Sequence, residues 1–376
     1  MTKQNVEPVR VSMMLDTTSG TFKTALSTMQ PFDEAVVDEI SIDAGTCLAI
    51  EWHSPLNALF PDKLLFSLSR AKIRRDVCIV KGIGERTRDK LARSGLRRLE
   101  DLLYSSRRSW RTQAASLLDW IDNDRFALLR ATRRIKDLDL MFCFKPEKVA
   151  YIDIETTGLN PGSRVFAVAI GIAAPEEKLF KITQLFARDY TEEFTIVKRA
   201  VDILNGVDCI VSFNGKAFDV PVLKSRAWYY LGDTDGVFDR HHVDLLHELR
   251  RVQGLKRRTR LVHFEASILH ATRALDVPSA MIPAIYEGFV ARGGGPAFTS
   301  SMKAAMGNRQ TLPVARSGIN ETFVDIDFET ADMLRVLHHN MIDVKSLHDL
   351  LGWALRKSYA KARANDQPYS PQSGRE

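Results

Sequence analysis

The sequence predicts an α/β protein, a mixed β-sheet flanked by helices and preceded by a small helical module. Three observations carry this. Three strand-like runs follow one another from Val149 to Leu185, and a helix, a fourth strand and another helix follow by Leu231. Residues 70–136 read as helical and hold 19 Lys/Arg against 8 Asp/Glu, in a chain whose net charge is only +6. The 376 residues, 45% hydrophobic and 27% charged, suffice for two or three domains with at least one sizeable core.

Residues 1–65 are the least patterned. Thr17–Thr21 is polar, and Ile40–Trp52 alternates weakly, as one or two strands would. No chemical constellation falls there. These residues are expected to cap the next module or to pack on the main domain, and no function is assigned to them.

Residues 66–140 centre on Ile79-Val80-Lys81-Gly82-Ile83-Gly84, followed by Leu91, Ala92, Leu96 and Leu99 at helical spacing with a break at Gly95. Gly-x-Gly allows a tight turn with exposed amides. The stretch resembles a helix-hairpin-helix motif. That implies a nucleic-acid phosphate held at Lys81, Gly82, Ile83, Gly84 and the start of the next helix, with Arg86, Arg88 and Lys90 as counter-charges. Such contacts grip a backbone without reading its sequence. The same hairpin can also serve packing alone. Trp110 and Trp120 fit a helical core better than a base-stacking platform.

From residue 145 to 357 the pattern changes. Val149–Ile154, Arg164–Ala173 and Leu179–Leu185 read as an antiparallel meander, with turns at Asn160-Pro161-Gly162 and Pro175-Glu176-Glu177. Helix is expected over Thr191–Leu204, strand over Asp208–Ser212 and helix again to Leu231. His242–Val252, Leu261–Ala274 and Ala280–Arg292 read as further helices, and Leu255–Arg260 as a basic loop. Residues 293–327 lack periodicity and read as an insertion, either a flap or disordered. Asp332–Leu355 is strongly amphipathic, and residues 358–376 read as a disordered tail.

The chemistry gathers on Asp153 and Glu155. Two residues apart on a strand, their side chains share one face, roughly 7 Å apart. Two anions so placed favour a cation between them. Asp219 follows the fourth strand, which should lie beside the first, and Asp343 sits on the last long helix. Four such carboxylates suit two Mg²⁺ or Mn²⁺ ions, because hard cations take oxygen ligands. Two ions roughly 3.5–4 Å apart can activate water and stabilise the leaving oxygen of a phosphodiester.

At these positions the chain resembles the DEDD family of 3′–5′ exonucleases of the ribonuclease-H-like fold. The resemblance rests on Asp153-Ile154-Glu155-Thr156-Thr157-Gly158-Leu159, on Asn214-Gly215-Lys216-Ala217-Phe218-Asp219 and on His339-Asn340-Met341-Ile342-Asp343-Val344. With Phe264-Glu265, Asp276-Val277-Pro278 and Ile285-Tyr286 it looks most like the YprB-type branch, over residues 145–355. The resemblance implies that Asp153, Glu155, Asp219 and Asp343 ligate the metals and that hydrolysis runs from a 3′ end. The family's general base is a His five residues before the last Asp or a Tyr four before it. Here His338 has the first spacing and His339 the second. If the helix has already begun there, residue i−4 faces residue i, which favours His339. Histidine's ordinary pKa of about 6.5 suits proton acceptance at neutral pH. Thr156, Asn214 and Lys216 stand beside the acids as candidate nucleic-acid contacts, and Glu265 has no chemical role in this reading.

Partners are therefore a nucleic acid, with DNA favoured over RNA because helix-hairpin-helix modules more often hold DNA. The longest apolar run, Val165–Ala174, is too short to span a bilayer. Met1–Asp16 lacks a signal-peptide apolar region. Cys47, Cys78, Cys143 and Cys209 form no C-x-x-C pair and read as reduced thiols of a cytoplasmic protein. Two other functions fit the same residues: an idle nucleic-acid-binding adaptor, and an endonuclease acting on structured substrates.

Overall fold

The computed structural model describes residues 22–24, 35–42, 45–56, 62–160, 162–234, 236–255, 260–273, 276–293, 298–299, 324–326 and 328–364. In chain order these form β1 (Phe22–Thr24), β2 (Ala35–Ile42), β3 (Gly45–Pro55), α1 (Lys63–Arg74), α2 (Glu85–Arg93), α3 (Arg108–Asp122) and α4 (Phe126–Arg130). There follow β4 (Val149–Thr156), β5 (Val165–Ala174), β6 (Leu179–Phe186), α5 (Glu193–Asn205), β7 (Cys209–Ser212), α6 (Asp219–Leu231), β8 (His241–Asp244) and α7 (Leu245–Gln253). The chain closes with α8 (Leu261–Phe264), α9 (Ile282–Ala291), β9 (Val324–Ile326) and α10 (Phe328–Ala364). Short β1 pairs only with β9.

Seven strands make one mixed sheet in the order β2-β3-β6-β5-β4-β7-β8. The expected meander is present, with β4–β5 and β5–β6 antiparallel, and β4–β7 and β7–β8 parallel. The ribonuclease-H-like mixed sheet flanked by helices is thus realised. Strand β5 is apolar along its whole length and is covered on its two faces by α5 and α10. On β4 the odd positions face α10: the Tyr151 ring packs edge-on against His348, and Asp153 bonds to Asn340.

One glycine sets how closely α10 approaches. A Cβ at Gly171 of β5 would lie 2.7 Å from Val344 Cγ1 and would also overlap the Phe180 ring. The substitution Gly171→Val should therefore force α10 away from β4 and β5, costing roughly 1–3 kcal/mol by overpacking. A lowered urea midpoint with unchanged slope would show it; an unchanged midpoint would contradict this packing.

Three segments differ from the sequence reading. His241–Asp244 is strand β8, not the start of a helix, because β7 offers it a parallel edge from Cys209 to Ser212; helical spacing is satisfied only from Leu245 on. The helix expected over 261–274 stops early: α8 runs into a π-turn at Glu265–Leu269, and His270 takes a left-handed φ of 54°. Helix α10 continues to Ala364, past the expected tail start at 358, where Arg75 stacks on Tyr359 at 5.3 Å. Residues 35–55 pack on the main domain. They add β2 and β3 to its sheet, β3 pairing antiparallel with β6 from Leu48 to Pro55.

Helix α1 starts at Lys63 and joins two cores. Leu65 and Phe66 lie in the large core under the sheet, while Ile73 lies in a second core with Val77, Ile83, Trp110, Leu117 and Ile121. Trp110 is thus a core residue, and half-buried Trp120 packs against the same core. No disulfide links the cysteines. Most of the 255–260 loop and of the 293–327 insertion, and residues 365–376, fall outside the described residues. Among the described residues no helix is long and apolar enough to cross a membrane.

Candidate active site

The four predicted carboxylates come together on three elements. Asp153 and Glu155 project from β4. Asp219 opens α6, and its Oδ1 accepts from the Ile154 amide at 3.2 Å, between the first two acids. Asn340 of α10 donates to Asp153 Oδ2 at 2.7 Å, and Asp343 follows three residues later on the same helix.

The loop before Asp219 has a reason for its Asn-Gly wording. Asn214 takes a left-handed φ of 64°, which asparagine tolerates better than most residues. A Cβ at Gly215 would sit 2.6 Å from Ser212 Cβ and 3.2 Å from Asp219 Oδ2. Buried Asp244 clamps the loop: its carboxylate accepts from Asn214 N at 2.9 Å and Lys216 N at 3.3 Å, and from Leu246 N at 3.1 Å, where it caps α7. Asp244 had no role in the sequence reading. Neither did Gln184. From β6 its amide donates to Asn340 Oδ1 and to Leu337 O, both at 2.8 Å, while Trp52 Nε1 of β3 donates to Gln184 Oε1 at 3.3 Å. A chain of bonds from Trp52 through Gln184 and Asn340 thereby fixes the orientation of Asp153.

The acids raise one another. Burial, then Asp343, Asp219 and Glu155, push Asp153 well above the usual carboxylate range, and burial with Asp343 and Asp219 does the same to Glu155. Burial raises Asp219 to about 7 against two backbone hydrogen bonds that oppose it. Asp343 is raised by burial and relieved by Arg273 and His339. Low dielectric and like charge both disfavour the ionised forms. In chelator the folded protein should therefore bind more protons than the unfolded chain between pH 4 and 7. Stability should then fall as pH rises across that window. The melting temperature in EDTA is expected to drop by roughly 2–6 °C between pH 5 and pH 8, and Mg²⁺ or Mn²⁺ at pH 8 should restore it. A melting temperature that rises with pH in EDTA would contradict the cluster.

His339 stands one turn before Asp343, its Nε2 3.7 Å from Asp343 Oδ2. Its Nδ1 lies 2.5 Å from Asp276 Oδ1. A carboxylate can only accept, so in the neutral ring Nδ1 carries the proton and Nε2 offers its lone pair toward the acids. Arg273 Nη1, 3.3 Å from the same Nδ1, then packs at the ring edge instead of donating to it. His338 is brought near the same groups but not into this bond. Burial, then Arg273 and His339, lower its pKa to about 4, which keeps it neutral at pH 7.

Arg273 is the main cation near the acids. Its guanidinium pairs with Glu265 and with Asp343. Among the described residues no three His, Cys, Asp or Glu side chains already stand as a coordination shell. The donor set still fits Mg²⁺ or Mn²⁺, because four oxygen acids lie within electrostatic reach of one another.

The remaining predicted residues are placed as follows. Thr156 is buried, and its hydroxyl donates to Gly158 O at 2.6 Å, shaping the turn after β4. Lys216 Nζ pairs with Asp137 at 2.5 Å, on the segment that joins the two modules. In the basic module Lys81, Gly82 and Arg86 are exposed, while Ile83 is fully buried under the hairpin. Gly82 takes φ +88°, and Gly84 begins α2 with no side chain capping its first turn. Arg134 donates to Cys78 O at 2.6 Å and to Ile83 O at 2.5 Å, pinning the hairpin from beneath. Arg88 pairs with Asp89 at 2.9 Å.

The strand order, with acids on β4 and at the start of α6, accords with one family. Residues 150–301 match the model of the RNase_H superfamily. The matched stretch contains Asp153, Glu155, Asp219 and Glu265 and ends before His339 and Asp343. A Bacillus subtilis (strain 168) protein, "Uncharacterized protein YprB", is 27% identical over 148 residues, which is 39% of this chain and 36% of that protein.

Proposed function

We propose that this chain is a metal-dependent nuclease that hydrolyses phosphodiester bonds, acting from a 3′ end and preferring DNA. What supports it most is the convergence of Asp153, Glu155, Asp219 and Asp343 beside a histidine already oriented by Asp276. Four buried or half-buried acids that raise one another have no structural use that a hydrophobic residue would not serve better.

Asp153, Glu155, Asp219 and Asp343 would hold two Mg²⁺ or Mn²⁺ ions. When bound, such ions lower the pKa of water and offset charge on the phosphate. His339 accepts a proton from the attacking water at Nε2, and Asp276 holds the imidazole in the tautomer that permits it. Asn340 and Gln184 orient Asp153, and Asp244 fixes the loop that carries Asn214, Lys216 and Asp219. Asn214 and Lys216 would meet the nucleic acid beside the acids, while buried Thr156 shapes the turn after Glu155. The basic hairpin at Lys81–Gly84, with Arg86 and Arg88, grips the polymer backbone at the amides of the α2 N-terminus. The 3′–5′ direction and the preference for DNA rest on the family resemblance.

End-labelled single- and double-stranded DNA and RNA, incubated with Mg²⁺ or Mn²⁺, test this. Mononucleotide release from the 3′ end is expected. Internal cuts would make the chain an endonuclease, and binding without cleavage would make it an adaptor.

A further inference from the structure

Glu265 and Arg273 have no part in the reaction, yet Arg273 touches its centre and Glu265 holds Arg273. Glu265 lies in the π-turn after α8 and is 2% exposed. Its carboxylate receives both sides of one guanidinium: Arg273 Nε donates to Oε2 at 2.7 Å, and Nη2 donates to Oε1. Such a bidentate fork is the strongest geometry available to arginine. The same Nη2 also rests on Asp343 Oδ1, but there the ion pair lacks an aligned hydrogen bond. Asp276 lies 3.5 Å from Arg273 Nη1. Arg273 is therefore anchored on Glu265 and leans on Asp343. Its positive charge faces the carboxylate that completes the acidic set.

We propose that Arg273 is a built-in counter-cation of the acidic centre, that divalent ions bind there only by taking Asp343 from it, and that Glu265 holds the displaced guanidinium. The proposal rests on the reading of these acids as a divalent-metal site. Arg273 offsets the repulsion among the acids in the metal-free protein and weakens the hold on metal by opposing the second positive charge. The π-turn and the left-handed His270 are what return the chain to the centre: a regular helix through residue 274 would carry Arg273 away along its axis. Glu265 then has a definite task. It keeps the arginine paired in both states, so that displacement strands no buried charge.

The test is Mn²⁺ binding to the full chain by isothermal titration, for the native protein and for Arg273→Met, Glu265→Gln and Asp153→Asn. Arg273→Met is expected to bind Mn²⁺ at least about tenfold more tightly, since a like charge next to the site is gone. In EDTA its melting temperature should fall below that of the native protein, and Mn²⁺ should close the gap. Glu265→Gln should move binding the other way, several-fold weaker, because the arginine's charge is left to Asp343 and Asp276. Asp153→Asn should lose most of the binding and so locates it at the acids. If native protein and Asp153→Asn behave as stated but Arg273→Met binds no more tightly, Arg273 is only a prop for Asp343 and the inference fails alone. If no protein binds Mn²⁺, the metal reading fails and takes the inference with it. Should Arg273→Met not fold, Glu265→Gln decides: weaker binding supports the proposal, and equal or tighter binding overturns it.

Discussion

Asp153→Asn is expected to lower the hydrolysis rate by about 10³-fold or more, some 4 kcal/mol of barrier. The residue is central to the cluster. Asp343, Asp219 and Glu155 all act on it, and Asn340 fixes its carboxylate. Asparagine keeps the shape and still accepts from Asn340, so the fold should persist. It removes one charge from a group whose members repel. The melting temperature in EDTA should therefore stay level or rise while activity collapses, and affinity for nucleic acid should hardly change. That combination separates a lost metal ligand from a damaged fold. Hydrolysis at the native rate by Asp153→Asn would place the reaction elsewhere.

His339→Gln is expected to lower the rate by roughly 10²–10⁴-fold, the usual span for loss of a general base. Asp276→Asn should have a smaller effect in the same direction, because an amide can donate to Nδ1 and so favours the wrong tautomer. Both variants should lose rate while keeping the native melting temperature in EDTA, a pair of changes that loss of packing would not produce. His338→Ala is the control. It removes a neutral, half-buried ring that lies outside the bond to Asp276, and it should leave the rate near the native value. A larger loss from His338→Ala than from His339→Gln would exchange their roles.

Read locally, the chain already located its acids. Asp153 and Glu155 share a face because a strand repeats every two residues, and His339 meets Asp343 because a helix repeats every 3.6. The meander, α5 and α6 came from the same periodicities to within a few residues, and so did the last helix, though its end was placed at Leu355 instead of Ala364.

What escaped that reading is what depends on partners far away in the chain. Gln184 looks like any polar residue on a strand, but the sheet places it beneath Asn340, 156 positions later. Asp244 looked like part of a helix until β7 paired with its neighbours and left it to clamp the loop. Helix α10 outlasted its expected end because α1 packs on it. Arg273 and Glu265 sit in a segment whose pattern reads as plain helix, and only a π-turn brings the guanidinium to Asp343. By itself the sequence determined which acids could meet and on which faces they lie, since those follow from torsions repeated over a few residues. The tertiary structure alone decided what orients them and which cation faces them, because a buried charge or amide is satisfied by whatever packing brings within 3 Å, and no local period encodes that.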